Sequence, residues 1–367
     1  MAIFQKVRYT DRNESGIDER LRDRMSGCTL CPRMCGVDRE DGKTGFCGET
    51  GEIRAARAAL HMWEEPCISG KEGSGTVFFT ECTLRCVFCQ NHSIAAGSVG
   101  KTISVERLAE IFLELQEQKA WNINLVTAGH FAPQVAKALE LAKNRGLQIP
   151  VVYNTSGYEK VETLRMFEGL TDIYLPDFKY LSRELAGTYS HAADYPQVAK
   201  AALWEMVRQV GSARFEIVSG AKAGKITDEL SVDVAYADGM DQTLDGTVSD
   251  TDECMRDSEP ENGVLERMLR GVVVRHLILP GHIAESKKVI RYLYETYGDQ
   301  IYISIMNQYT PMPGINARYP ELGRKLTPQE YDEVVDYAIE LGVENGFIQD
   351  GETAEESFIP TFDTSGV

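Results

Sequence analysis

Residues 75–89 consist of the strand-like run Gly75-Thr-Val-Phe-Phe-Thr80 and, after one residue, Cys82-Thr-Leu-Arg-Cys86-Val-Phe-Cys89. The three thiols begin where a buried strand is expected to end, on a loop short enough to fold around one iron–sulfur cluster. A four-iron cluster has four iron corners, so three thiolates leave one iron open to a small molecule. The alternatives are reduced core thiols, because free cysteine packs as a small hydrophobe, or a zinc site.

The cysteine spacing, with the aromatic Phe88 directly before the last thiol, resembles the signature of the radical S-adenosylmethionine (SAM) superfamily. Five runs resemble a subgroup of it, the pyruvate formate-lyase activating enzyme-like proteins, which are related to the activating enzymes of glycyl radical enzymes. They are Gly73-Ser-Gly-Thr-Val-Phe-Phe79, Cys86-Val-Phe-Cys-Gln-Asn91, Tyr153-Asn-Thr-Ser-Gly-Tyr158, Tyr174-Leu-Pro-Asp-Phe-Lys-Tyr180 and Met306-Asn-Gln-Tyr-Thr-Pro-Met-Pro313. The resemblance implies that Cys82, Cys86 and Cys89 hold a [4Fe-4S] cluster and that SAM binds its open iron.

The composition argues against several partners and compartments. The formal net charge is -18, so we expect neither a nucleic acid nor an anionic membrane as a partner. No apolar run approaches the length of a membrane span, and the first residues lack the apolar core of a signal peptide. Eight of the nine cysteines lie in the first quarter of the chain, which favours metal binding in a reducing compartment over disulfides. The sequence therefore predicts a cytoplasmic protein.

Apolar β-rich runs alternate with amphipathic stretches of helical period, the pattern of a parallel α/β protein. The predicted strands are 76–80, 123–127, 150–154, 172–176, 272–279 and 301–306. The predicted helices are 104–118, 133–145, 160–168, 195–210, 284–297 and 327–341, and Val264-Leu-Glu-Arg-Met-Leu269 is also expected to be helical. Six such units predict a partial (β/α)6 TIM-like barrel of the type that the radical SAM resemblance implies. In barrels the functional residues lie at the carboxyl ends of the strands.

The predicted organisation has three parts. A Cys-rich extension occupies residues 1–75, the radical SAM partial barrel residues 76–345, and a tail residues 346–367. An acidic insert interrupts the barrel at about residues 218–262. Residues 221–262 contain twelve Asp and Glu against three Lys and Arg, so this insert is expected to be solvated, with Cys254 as an exposed thiol. The other interpretation is a segment that docks a basic partner.

The loop after the second predicted strand is a candidate part of the SAM site. It reads Thr127-Ala-Gly-His130, where the superfamily commonly has a Gly-Gly-Glu-like turn that holds the amino group of SAM. Gly129 would let the backbone approach the ligand, but this run contains no glutamate. The alternative is a tight turn in which His130 caps the next helix.

The third and fourth strand ends supply Asn154, Ser156, Asp177 and Lys179 as candidate SAM ligands. The activating enzymes have a similar Asp-x-Lys pair, and the resemblance makes Lys179 the partner of the SAM carboxylate. Asp177 would accept hydrogen bonds from the ribose or amino groups. The alternative is a structural salt bridge at the rim of the barrel.

The last two predicted strands supply Arg275 and Asn307. The run Arg275-His-Leu-Ile-Leu-Pro-Gly-His282 resembles a segment of the activating enzymes whose arginine points toward SAM. Because a buried guanidinium needs an anionic partner, the SAM carboxylate is a candidate for that role. Asn307, with Gln308 and Tyr309 beside it, faces the cofactor or the substrate, or else packs within its loop.

A second group of cysteines precedes the barrel, with a short first pair and a Gly-rich return. Its members are Cys28, Cys31, Cys35 and Cys47. Four such ligands fit a closed structural metal site that holds zinc or a second iron–sulfur cluster. Cys67 either replaces one of them or is a plain thiol. The other interpretation of the whole group is a set of reduced packing cysteines.

By its resemblance, the chain is predicted to cleave SAM reductively and to form a 5′-deoxyadenosyl radical that abstracts a hydrogen atom. The target implied for the subgroup is a glycine in a glycyl radical enzyme, and the electron would come from a donor such as flavodoxin or ferredoxin. Two alternatives stay open. The chain is a radical SAM enzyme that acts on a small metabolite or a peptide, or it is a non-catalytic iron–sulfur electron carrier.

Overall fold

The computed structural model describes residues 25–96, 99–219, 226–227, 265–349 and 360–367. Its strands are β1 (Ile53–His61), β2 (Ser74–Phe79), β3 (Lys101–Ile103), β4 (Ile123–Val126), β5 (Val151–Thr155), β6 (Ile173–Pro176), β7 (Arg214–Ser219), β8 (Ile226–Thr227), β9 (Leu265–Leu277), β10 (Tyr302–Met306) and β11 (Gly346–Ile348). Its α-helices are α1 (Pro66–Ser69), α2 (His92–Ala95), α3 (Val105–Glu117), α4 (Ala132–Asn144), α5 (Val161–Leu164), α6 (Arg183–Ser190), α7 (Tyr195–Val210), α8 (Ile283–Tyr297) and α9 (Pro328–Leu341).

The strands form one mostly parallel sheet. Its order is β11-β10-β9-β6-β5-β4-β2-β1-β3, and β7 and β8 attach beside β9. The seven strands from β11 to β2 in this order are mutually parallel, whereas β1 is antiparallel to both of its neighbours. The six predicted strands correspond to β2, β4, β5, β6, β9 and β10, which lie side by side in the sheet in this same order. The predicted α/β partial barrel is therefore confirmed.

The two faces of the sheet have different characters. Because successive side chains of a strand point to opposite faces, Tyr153 and Asn154 on β5 are separated. Tyr153 packs against Phe167 on the helix-covered face, with ring centroids 4.7 Å apart. Asn154 reaches Arg275 on the other face, the inside of the partial barrel. The inner face thus gathers polar groups beneath the carboxyl ends of the strands.

Local sequence explains where the helices begin. The Ser104 side chain accepts the Arg107 N–H at the start of α3, and Thr327 with Glu330 forms a capping box at the start of α9. The apolar face of α3, with Leu108 and Phe112, is buried in the main core. Such amphipathic helices fix the strand ends by packing on the outer face of the sheet.

Two predicted helices differ from the structure. Val264–Leu269 was expected to be helical, but Leu265 already belongs to β9, and Val264 lies outside the described residues. Antiparallel pairing with β7, such as Phe215 opposite Met268, satisfies the backbone of this segment and overrides its helical spacing. The helix predicted for 160–168 is short, because α5 ends at Leu164 and a single 3-10 turn follows.

The sheet extends beyond the residues assigned to the barrel. In the predicted extension, β1 pairs with β2, and in the predicted tail, β11 pairs with β10. The acidic insert joins β7 to β9, which pair antiparallel. Most of it, with Cys254, lies outside the described residues. Among the described helices, none combines the length and the hydropathy that a membrane span needs.

Residues 360–367, which we call the closing segment, lie along the edge of β1. The Thr364 N–H donates to the Ala56 carbonyl at 2.9 Å, and the Ala58 N–H donates to the Ser365 carbonyl at 3.0 Å. Phe362 packs edge-on against Phe78 of β2, with ring centroids 5.3 Å apart. The closing segment therefore covers backbone groups of β1 beyond the short strand β3.

Candidate cluster and SAM site

The cluster loop, residues 82–89, leaves the carboxyl end of β2. Glu81 and Arg85 have positive φ values of 64° and 53°, so the chain turns sharply on both sides of Cys82. The Arg85 guanidinium and the Glu81 carboxylate pair at 2.5 Å across this turn. Cys82, Cys86 and Cys89 are all partly exposed. The loop thus presents three accessible thiols at the edge of the sheet where barrels place their chemistry.

Each of the three sulfurs has a nearby hydrogen-bond donor. The Leu84 N–H lies 3.4 Å from Cys82 Sγ, and the Asn91 backbone bonds to Cys89. Cys86 Sγ accepts from the Ser190 hydroxyl at 2.9 Å. Donors around the sulfurs stabilise thiolate charge, as the protein ligands of iron–sulfur clusters require.

Two of the three thiols, Cys86 and Cys89, have raised pKa values, so their thiolate forms are disfavoured. Burial raises the pKa of Cys86 to about 11 and that of Cys89 to about 12, while Lys179 opposes both shifts. Charge on Cys82 raises the pKa of the other two thiols, which confirms that the three are electrostatic neighbours. A bound metal deprotonates its thiol ligands outright, so these thiols become ligands only when the metal supplies positive charge.

The thiols fit a cluster by their chemistry and placement. Three partly exposed cysteines, each with a donor near its sulfur, form a suitable donor set. Within the described parts of the chain, no three His, Cys, Asp or Glu side chains converge closely enough to hold a single metal ion. A four-iron cluster does not require its ligands to converge on one point, because it binds each thiolate at a different iron.

A group of charged side chains lies inside the barrel next to the cluster loop. We call Glu64, Asn154, Asp177, Lys179 and Arg275 the inner charge cluster. The Arg275 guanidinium donates to Glu64 Oε2 at 3.0 Å, to Asp177 Oδ1 at 3.2 Å and to Asn154 Oδ1 at 2.6 Å. The Lys179 ammonium donates to Asp177 Oδ2 at 2.6 Å. Two carboxylates, Glu64 and Asp177, therefore balance two cations, Lys179 and Arg275. Glu64 comes from the segment after β1, and the other members come from the ends of three neighbouring strands.

Within the inner charge cluster, neighbouring charges keep Asp177 and Lys179 ionised. Burial alone would raise the pKa of Asp177, but Lys179 and Arg275 outweigh it and hold that pKa below its ordinary value. Burial would lower the pKa of Lys179, and the Asp177 carboxylate outweighs it in the opposite direction. An ammonium has three N–H donors, so Lys179 keeps two donors besides the one that binds Asp177.

Lys179 connects the inner charge cluster to the cluster loop. Its Nζ lies 6.0 Å from the centroid of the buried Phe88 ring, and its charge lowers the pKa of Cys86 and Cys89. Phe88 in turn lies beside Tyr309, with ring centroids 6.5 Å apart. A carboxylate bound at Lys179 would therefore lie near the cluster loop.

Of the remaining predicted SAM ligands, Ser156 is joined to the Asp177 strand end, whereas Asn307 and Gly129 have contacts elsewhere. The Tyr195 hydroxyl lies 2.9 Å from both the Ser156 and the Asp177 carbonyl oxygens and shares its single proton between them, which ties two strand ends together. The Asn307 N–H, after β10, donates to Gln349 at 2.7 Å. Gly129 lies in a buried 3-10 turn, where an added Cβ would stand 2.4 Å from a carboxylate oxygen of Glu159. The structure thus gives Gly129 a packing reason that the sequence did not show.

His130 and Cys67 have structural surroundings. His130 is buried, and its Nε2 lies 2.7 Å from the Thr80 carbonyl oxygen, so it does not cap α4 with its side chain. Burial lowers its pKa to about 3. Cys67 lies on α1 in an apolar cluster with Val152 and Ile173. It is therefore a packing thiol apart from the N-terminal cysteines, which corrects the alternative that it replaces one of them.

The N-terminal cysteines lie against the cluster loop. Cys28, Cys31 and Cys47 are buried and Cys35 is exposed. Burial raises the pKa of Cys31 to about 12, with smaller contributions in the same direction from Cys47 and Cys28. These mutual effects place the buried thiols near one another.

One arginine joins the two groups of cysteines. Arg33 lies between Cys31 and Cys35, and its Nε donates to the Thr83 carbonyl in the cluster loop at 2.9 Å. Its other nitrogens donate to the Ser190 carbonyl at 3.2 Å and to the His191 carbonyl. The extension is thereby fixed to both the cluster loop and α6.

Sequence reasoning did not find Glu64 or Ser190. Glu64 stands 211 positions from Arg275, and Ser190 stands 104 positions from Cys86. Neither residue lies in a run that resembles the subgroup or at a predicted strand end. Only the packing of distant segments brings them to the site.

Part of the chain matches a family model. The model of the Radical SAM superfamily matches residues 76–215, which include most of β2, the cluster loop and the strands β3 to β6. Over these residues the chain is similar to the radical SAM superfamily. This similarity agrees with the three thiols after β2, whereas the match does not distinguish the pyruvate formate-lyase activating enzyme-like subgroup.

Three similar proteins extend the comparison. An uncharacterized protein of Methanocaldococcus jannaschii is 24% identical over 344 residues, which cover 91% of this chain and 81% of that protein. SuiB of Streptococcus suis, in a structure bound to S-adenosylmethionine, has a TM-score of 0.44 at 10% identity, covering 74% of this chain and 49% of SuiB. The chain thus spans about half the length of SuiB. Methylornithine synthase (PylB) has a TM-score of 0.43 at 11% identity, covering 93% of this chain and 81% of the synthase. Both TM-scores are too low to support an inference about function.

Proposed function

We propose that the chain is a radical SAM enzyme that holds a [4Fe-4S] cluster at Cys82, Cys86 and Cys89 and binds SAM between that cluster and Lys179. The observation that carries this proposal is the placement of three partly exposed thiols beside the inner charge cluster. When bound, the cluster would supply the electron that cleaves the sulfonium of SAM into methionine and a 5′-deoxyadenosyl radical.

The residues around the cluster would bind and orient SAM. Lys179 is the proposed partner of the SAM carboxylate, because its ammonium keeps donors beyond the one used by Asp177. Arg275 is held by Glu64, Asp177 and Asn154, so it adds positive potential without having to move. The aromatic wall of Phe88 and Tyr309 would limit water near the reacting bond.

The substrate is the less determined part of the proposal. We propose a glycine of a glycyl radical enzyme as the hydrogen donor, on the basis of the runs that resemble the activating enzyme-like subgroup, with flavodoxin or ferredoxin as electron donor. The second candidate is a small metabolite or a peptide. The two differ in a simple readout, since only a glycyl radical enzyme would acquire a persistent radical when 5′-deoxyadenosine forms.

A second metal centre is proposed at Cys28, Cys31, Cys35 and Cys47. Two backbone hydrogen bonds close this segment into a tight loop. The Cys28 N–H donates to the Val37 carbonyl at 2.8 Å, and the Gly36 N–H donates to the Cys28 carbonyl at 3.0 Å. The mutual pKa effects of the thiols support a shared site. Because no three of these side chains, all within the described residues, converge closely enough to hold a single metal ion, a second iron–sulfur cluster is favoured over the zinc alternative. Counting iron, zinc and sulfide per chain distinguishes the two.

The deciding experiment is anaerobic reconstitution followed by reduction in the presence of SAM. The wild type is expected to form 5′-deoxyadenosine, and the variants Cys82→Ala, Cys86→Ala and Cys89→Ala are each expected to lose this activity. Cys67→Ala is the matched control, since Cys67 is buried in an apolar cluster away from the loop. A reconstituted wild type that leaves SAM intact would contradict the proposal and favour an electron carrier. Cys28→Ala is expected to keep SAM cleavage while it loses metal from the second centre.

A further inference from the structure

The sulfur of Cys86 differs from its two neighbours in the nature of its donor. Cys82 and Cys89 are approached by backbone groups only a few residues away, which any side chain at those positions would provide. Cys86 is approached by a side chain, the Ser190 hydroxyl at 2.9 Å. This contact can therefore be removed by a substitution that leaves the cluster loop unchanged.

Ser190 is held in place from several directions. It is the last residue of α6 and is fully buried. The Val87 N–H donates to the Tyr189 carbonyl at 2.9 Å, and Arg33 donates to the Ser190 carbonyl at 3.2 Å. The end of α6 and the cluster loop thus form one rigid unit, so the distance from the hydroxyl to the sulfur is set by the fold.

A second hydroxyl determines the direction of the Ser190 proton. Tyr180 is buried, and its hydroxyl lies 3.0 Å from Ser190 Oγ, where either atom could donate. A cluster-bound Cys86 is a thiolate without a proton, so Ser190 must give its single proton to the sulfur. Tyr180 then donates to Ser190 Oγ. Burial raises the pKa of Tyr180 well above its ordinary value, so its proton stays available.

We propose that Ser190, oriented by Tyr180, is a positioning residue that raises the reduction potential of the cluster through its hydrogen bond to Cys86. This inference rests on the proposed function. Reduction adds one electron to the cluster and increases the negative charge on its sulfur ligands. A hydrogen bond to a ligand sulfur stabilises the reduced form more than the oxidised form, and it therefore makes the potential less negative.

The test is a redox titration of the reconstituted protein in which the reduced cluster is followed by electron paramagnetic resonance. Ser190→Ala is expected to shift the midpoint potential to a more negative value. Ser190→Thr keeps a hydroxyl and is expected to stay close to the wild type. Tyr180→Phe is expected to shift the potential in the same direction as Ser190→Ala but by less, because Ser190 stays in place without its fixed orientation.

The matched control is Ser182→Ala at the other end of α6. The Ser182 hydroxyl accepts the Leu185 N–H at 3.2 Å, so this change weakens the helix without touching the sulfur. An unchanged potential in Ser190→Ala, or an equal shift in Ser182→Ala, would overturn the inference. If Ser190→Ala fails to retain iron, Tyr180→Phe provides the test, and an unchanged potential in that variant would overturn the inference. The proposed function fails differently, since a wild-type cluster whose spectrum does not respond to SAM has no open iron.

Discussion

Arg275 shows how the requirement of one buried charge shapes the candidate site. The sequence indicated that its guanidinium needs an anion, and the SAM carboxylate was the predicted partner. In the structure, Glu64 and Asp177 fill this role within the chain itself. The predicted positions at the strand ends are thus close together, whereas the acidic residue that balances them comes from the segment after β1.

The pairing of Glu64 with Arg275 leads to a prediction about stability. The two side chains are only 7% and 14% exposed, so Glu64→Gln and Arg275→Gln each leave the inner charge cluster with one unbalanced charge. We expect each single variant of the metal-free protein to lose roughly 2 to 3 kcal/mol of unfolding free energy. The double variant restores the charge balance, and its loss should be clearly smaller than the sum. Urea unfolding measures all three, and additive losses would contradict the pairing.

His276 on β9 predicts a dependence of stability on pH. Its Nδ1 lies 2.8 Å from the Phe178 carbonyl, and burial lowers its pKa from 6.5 to about 4. The unfolded chain therefore takes up this proton at a higher pH than the folded chain. The contribution is full above pH 6.5 and declines as the pH falls toward 4.

We expect the wild type to lose about 2 kcal/mol more unfolding free energy than His276→Asn between pH 7.5 and pH 5. The asparagine amide can still donate to Phe178 but does not titrate in this range. His92→Asn changes an exposed histidine and serves as the control. Equal losses in the wild type and His276→Asn, measured by urea unfolding at both pH values, would show that His276 does not have the lowered pKa.

Local sequence was sufficient for residues at the carboxyl ends of parallel strands. Asn154 and Asp177 were found because the carboxyl ends of neighbouring parallel strands meet at one edge of the sheet, and Arg275 because its run resembles a segment of the activating enzymes. Glu64 and Ser190 were missed because their partners are remote in sequence and no periodic pattern marks them. Gly129 was selected because glycine would let the backbone approach a ligand. In the structure, glycine is favoured there because the Glu159 carboxylate, from the loop after β5, packs against it.

At the scale of elements, β9 combines two environments. Its second half pairs in parallel with β6 and β10, while its first half pairs antiparallel with β7. Gly271 stands where these environments meet. It has φ +138°, and an added Cβ would lie 2.8 Å from the Ala213 Cα. Both the conformation and the close approach favour glycine at this position.

This junction predicts the effect of Gly271→Ala. The control is Gly146→Ala, which also has a positive φ, +107°, but has no atom within 4 Å of the added Cβ. Both variants experience backbone strain, and only Gly271→Ala also forces the backbone of Ala213 to move. We expect it to lose roughly 1 to 3 kcal/mol more unfolding free energy than the control. Equal losses in thermal or urea unfolding would mean that the close approach is relieved without cost.

The elements differ in how much of them the sequence reveals. The strands β2, β4, β5 and β6 are buried on both faces, so their apolar runs are recognisable without knowledge of the fold. Strands such as β3 and β11 have three residues each and form because a neighbouring strand offers its edge. The first half of β9 likewise depends on a neighbour, because its pairing with β7 makes it a strand. Its own sequence has helical spacing and was therefore predicted as helix.

At the scale of the whole molecule, the two ends of the described chain meet the barrel in different places. The N-terminal cysteines reach the cluster loop through Arg33, at the carboxyl ends of the strands. The closing segment, residues 360–367, lies along β1 at the lateral edge. Arg57 donates to the Thr361 carbonyl at 2.7 Å, and Lys101 Nζ donates to the Val367 carbonyl at 2.8 Å. A partial barrel leaves strand edges that other segments can pair with, and here the chain covers one itself.

Deletion of residues 360–367 is expected to uncover the edge of β1. The Ala58 N–H, which donates to the Ser365 carbonyl, should then exchange with solvent deuterium faster than in the wild type, while amides of β5 in the centre of the sheet should be unchanged. Asp363→Ala is the matched control, because it removes the exposed pair with Arg57 and the hydrogen bond from the Ser365 N–H, at 3.0 Å each, and keeps the backbone bonds to β1. Hydrogen exchange of the peptide that contains residues 53–61 provides the measurement. Unchanged exchange at Ala58 after the deletion would show that the closing segment does not protect β1, whereas faster exchange in β5 as well would indicate that it stabilises the whole sheet.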